Sequence, residues 1–119
     1  MDDRLEKALE FSNYMSTLNN HRKVLTEKFL ESNVHYYDGG TFSVTKELLN
    51  FCHMLVQKNQ DSVVLIDDNN LPVLVKNISK FFDDVLDLYF TNTQEYLAEY
   101  NKIKTNRSVK GLLDLWVMA

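Results

Sequence analysis

At 119 residues the chain has the length of one domain. It is 45% hydrophobic and 12% aromatic, which excludes a disordered chain, and its net charge of −4 argues against a protein that wraps nucleic acid along its whole surface. Three glycines and one proline predict helices in preference to turns, and the single cysteine, Cys52, excludes an internal disulfide and points to a reducing compartment. The opening Met1-Asp2-Asp3-Arg4 is acidic and no apolar h-region follows, so no secretory signal and a cytoplasmic location are expected. No apolar run is as long as a membrane span.

Taken in order, the first element is a helix from Leu5 to about Leu30. Phe11, Met15, Leu18, Leu25 and Phe29 recur in four- and three-residue steps, with Arg22 at the one polar position. Arg22 reads as a side chain snorkelling from the seam edge, or as a partner for Asp83, Asp84 or Asp87. The pattern then changes. Val34-His35-Tyr36-Tyr37 and Thr41-Phe42-Ser43-Val44 are β-branched and aromatic, with Asp38-Gly39-Gly40 between them, a β-hairpin with a three-residue loop.

Thr45 caps a second helix whose apolar stripe is Leu48, Leu49, Cys52, Leu55 and Val56, ending near Lys58-Asn59. A second hairpin pairs Ser62–Ile66 with Pro72–Val75 across the solvated turn Asp67-Asp68-Asn69-Asn70. Asn77 then caps a long helix. Ile78, Phe82, Val85, Tyr89, Tyr96, Tyr100 and Ile103 form its seam, Asn92 fills the gap, and Phe81 and Leu88 lie beside it. Such a helix spans roughly 40 Å and ends near Thr105-Asn106. Ser108 caps a last short helix, weakened by Gly111.

The expected fold is α+β: two long packed helices, a shorter helix, two β-hairpins and a short C-terminal helix. One domain covers 1–119, with 105–119 as a docking tail. Leu18, Leu25, Leu49, Leu65, Phe82, Val85 and Tyr89 are the expected core.

Catalytic signatures are absent. Gly39-Gly40 lacks the lysine and helix of a phosphate loop. Cys52 and His53 are neighbours on one helix and point roughly 100° apart, so they cannot pair as nucleophile and base. His21, His35 and His53 lie on different elements, and the Asp67–Asn70 turn lacks the glycine and closing glutamate of a calcium loop. Asp83, Asp84 and Asp87 read as a solvent face. The expectation is a protein without enzymatic activity, metal or other cofactor, and with no membrane partner.

Two signals lie near the C-terminus. Lys102, Lys104, Arg107 and Lys110 reverse the local charge, either to contact phosphate or an acidic partner or to complement a helix end. Val109, Leu112, Leu113 and Trp116 then form an apolar stripe, with Leu115, Val117 and Met118 apolar beside it. This tail either covers its own core or docks as a helix in a partner's groove.

Leu113-Asp114-Leu115-Trp116-Val117 resembles the short peptide with which proteins of T-even-type phages bind the sliding clamp, although its aromatic residue comes one place late and three residues follow it. The chain also resembles small uncharacterised accessory proteins of T-even-like myophages, including those of cyanobacteria. Ala8-Leu9-Glu10-Phe11-Ser12-Asn13-Tyr14 and Asp38-Gly39-Gly40-Thr41-Phe42 carry that resemblance. It implies a phage-encoded protein working in the host cytoplasm.

The leading expectation is an interaction or assembly factor that docks on a larger complex, or on copies of itself, through Val109, Leu112, Leu113, Leu115 and Trp116. The alternative is an accessory factor of replication, recombination or transcription that contacts nucleic acid through Lys102, Lys104, Arg107 and Lys110.

Overall fold

The computed structural model describes residues 3–105. The order is α1 (Asp3–Ser32), β1 (Val34–Tyr37), β2 (Gly40–Ser43), α2 (Lys46–Gln57), β3 (Val63–Ile66), β4 (Pro72–Val75) and α3 (Ile78–Thr105). The fold is α+β, with two long helices and two antiparallel two-stranded sheets, β1-β2 and β3-β4. The chain divides into two compact units. The described part of one is residues 3–29 with 94–105, and the other is Leu30–Thr93.

The helix boundaries follow from their caps. Thr45 Oγ1 accepts from Leu48 N–H (3.1 Å), and Asn77 Oδ1 accepts from Lys80 N–H (3.1 Å). At the end of α2, Asn59 turns left-handed (φ 59°), and Gln60 N–H closes on Leu55 C=O at 3.1 Å.

The unit at Leu30–Thr93 is organised around Phe81. Register pairs His35 with Phe42 and Tyr37 with Gly40, which puts His35, Tyr37 and Phe42 on one face of the first hairpin. All three rings meet Phe81 edge-on, at centroid separations of 5.3, 5.6 and 5.3 Å respectively. Val44, Cys52, Leu65, Val73, Val75, Ile78 and Val85 complete this core. The helical period places Phe81 beside the seam, yet its ring is the hub and Phe82 is only half-buried. His35 Nε2 is buried there without a hydrogen-bond partner, a cost set against the ring contacts.

The loop of the first hairpin has two residues, not three. Asp38 and Gly39 both have positive φ (46° and 81°), the combination a tight hairpin turn requires, and Gly40 already belongs to β2. Gly40 is glycine for a different reason. A Cβ there would lie 2.7 Å from Val73 Cγ2, so β2 approaches β4 too closely for any side chain.

The turn Asp67–Asn70 is not simply solvated. Asp67 is buried, and its Oδ1 accepts from Asn69 N–H (3.0 Å) and Leu71 N–H (2.8 Å). Its Oδ2 accepts from Thr41 N–H on β2 at 3.0 Å. Asp68 N–H donates to Thr41 C=O at 2.9 Å, and Asp68 Oδ2 accepts from Ser43 N–H (2.9 Å) and Ser43 Oγ–H (2.7 Å). Two successive carboxylates thus fasten the edge of one sheet to the turn of the other.

A second polar joint closes the unit. Asn33 exchanges hydrogen bonds with Val44 through Val44 N–H to Asn33 C=O (2.9 Å) and Asn33 Nδ2 to Val44 C=O (2.7 Å). Asn92, the gap in the α3 seam, is buried and donates from Nδ2 to Ser32 C=O (2.9 Å) and Asn33 Oδ1 (3.3 Å).

In the other unit α1 and α3 run antiparallel. Leu18 and Ile103 share a core cluster with Tyr14, Met15 and Leu25. Arg22 lies over the Tyr100 ring at 5.9 Å, in place of any pairing with Asp83, Asp84 or Asp87. Thr26 Oγ1 and Tyr96 Oη are 2.9 Å apart, and Phe29 meets Tyr96 edge-on at 4.7 Å. Of the expected core, Leu18, Leu65 and Val85 are buried, while Leu25, Leu49, Phe82 and Tyr89 are half-buried and pack against the two clusters. Phe11, expected on the α1 stripe, is 66% exposed.

Two predictions follow from these contacts. Truncating Phe81→Ala removes the ring on which His35, Tyr37 and Phe42 converge, and should lower the unfolding free energy by about 3–5 kcal/mol in urea titration. Asp67 titrates below its ordinary 3.8, because the Thr41 N–H first, and then the Leu71 and Asn69 N–H groups, favour the carboxylate over the opposing effect of burial. The stability this contributes is present above the unfolded value and is lost as pH falls through the lower folded value. Urea midpoints measured from pH 6 downward should therefore fall less steeply below about pH 4 in Asp67→Asn than in the wild type.

Candidate interaction site

Lys102 and Lys104 occupy the last turn of α3, where cations complement the helix C-terminus. They have different surroundings. Lys102 Nζ is 3.1 Å from Glu99 Oε1, one turn back on the same exposed helix face. Lys104 lines an open depression of about 540 Å³ with Lys7, Glu10, Phe11 and Tyr14 of α1. The depression lies where α3 reaches its last described residues, past Ile103 along the α1 seam.

Among the described residues its lining includes the aromatic rings of Phe11 and Tyr14, the cations Lys7 and Lys104 and the acid Glu10. Such a lining suits an amphipathic peptide, which offers both apolar area and charge. Arg107 and Lys110, and the stripe residues Val109, Leu112, Leu113, Leu115 and Trp116, lie outside the described residues, as does the short C-terminal helix expected there.

Sequence reading missed Lys7, Glu10 and Tyr14. Nothing local marks them; they become neighbours of Lys104 only through the antiparallel pairing of two helices at opposite ends of the chain. It also missed the outward face of the second hairpin. Val64 faces Leu74 and Ile66 faces Pro72 across the pair, and Val64, Ile66 and Leu74 are about half exposed, with Leu71 beside them. The near-continuous apolar run from Val63 to Ile66 was the available signal, since a two-stranded sheet buries only one face here.

The residues weighed for catalysis are scattered. Cys52 is fully buried in the core, where burial pushes its thiol up to about 11, whereas His53 is exposed and lies against the Phe82 ring at 5.7 Å. Asp83, Asp84 and Asp87 are exposed, as a solvent face requires. Among the described residues no three His, Cys, Asp or Glu side chains are grouped to hold a metal ion, and no helix is long and apolar enough to cross a membrane. No family model, curated protein or solved structure matches the chain.

Proposed function

We propose that the protein is a non-enzymatic interaction or assembly factor that docks on a larger complex through Val109, Leu112, Leu113, Leu115 and Trp116. The observation that supports this reading is a sequence pattern: Val109, Leu112, Leu113 and Trp116 recur at the i, i+3, i+4, i+7 spacing of an amphipathic helix. Tyr96, Tyr100 and Ile103 belong to the α3 seam that meets α1. The apolar stripe follows that seam in the sequence, and a stripe of this spacing suits a partner's groove.

The resemblance of Leu113-Asp114-Leu115-Trp116-Val117 to clamp-binding peptides agrees with such a role and supports a phage origin. The local charge reversal does not favour a nucleic-acid role. Of its two described members, Lys102 is engaged by Glu99 and Lys104 faces the depression that contains Glu10.

The test is affinity capture from lysate of the native cell, with the captured partner identified and then rebuilt from purified components. Trp116→Ala should abolish binding and leave Tm nearly unchanged, since buried tryptophans at interfaces commonly contribute about 2 kcal/mol or more. Binding that survives Trp116→Ala, or that weakens steeply with added salt as phosphate contacts do, would overturn the docking reading.

A further inference from the structure

We draw no further inference here: the strongest candidate, the outward apolar face of the second hairpin formed by Val64, Ile66, Leu71 and Leu74, is an unpartnered sheet face, and nothing in the structure shows what covers it.

Discussion

Neither two-stranded sheet has the strands to be stable by itself, and both depend on the ring of Phe81. One face of that ring's surroundings is supplied by His35, Tyr37 and Phe42 of the first hairpin, and the same cluster takes Leu65, Val73 and Val75 from the second. Burial supplies the driving force but no direction, because apolar contact is nearly indifferent to rotation. Direction comes from Asp67 and Asp68, whose carboxylates accept only from donors placed where Thr41 and Ser43 place them. The close approach at Gly40 and Val73 follows from the two effects together.

The long helices contribute differently to the two units. Toward its start α3 presents Ile78, Phe81 and Val85 to an aromatic core; toward its end it presents Tyr96, Tyr100 and Ile103 to a seam where, among the described residues, Leu18 and Ile103 form the buried cluster. Asn92 lies where one pattern gives way to the other. Its amide satisfies the Ser32 carbonyl at the last residue of α1, which an aliphatic residue at that seam position would leave without this donor. A polar residue in an apolar stripe here holds the point where the chain leaves the helix and enters β1.

What could be read from the sequence was what local spacing controls. The periods of the long helices, the caps at Thr45 and Asn77, the left-handed Asn59 and the position of Pro72 at the start of its strand all depend on residues within a turn of one another. What could not be read depends on neighbours far along the chain. Asp38-Gly39-Gly40 offers three turn formers, and the pairing of Gly40 with Tyr37, beside Val73, takes the third into the strand. Asp67 looks like a solvent-facing turn residue until Thr41 arrives to donate to it. Phe81 and Phe82 are adjacent and equally apolar, and the hairpin chooses between them. The depression at Lys104 was invisible for the same reason, since Lys7 and Glu10 are nearly the whole chain away. The stripe from Val109 to Trp116 is legible as a pattern, but a pattern alone does not say which surface it meets.

The placement of Cys52 has a consequence for the protein's chemistry in the cell. With no exposed surface and a thiol that burial pushes up to about 11, it stands as the neutral thiol at neutral pH. Peroxide, nitrosating agents and disulfide-exchange partners all require the thiolate and a path to it. The only sulfhydryl in the chain is thus insulated from the redox state of its surroundings for as long as the core stays closed. Oxidation at this position requires the core cluster to open first, and so follows the timescale of local opening rather than that of thiol chemistry.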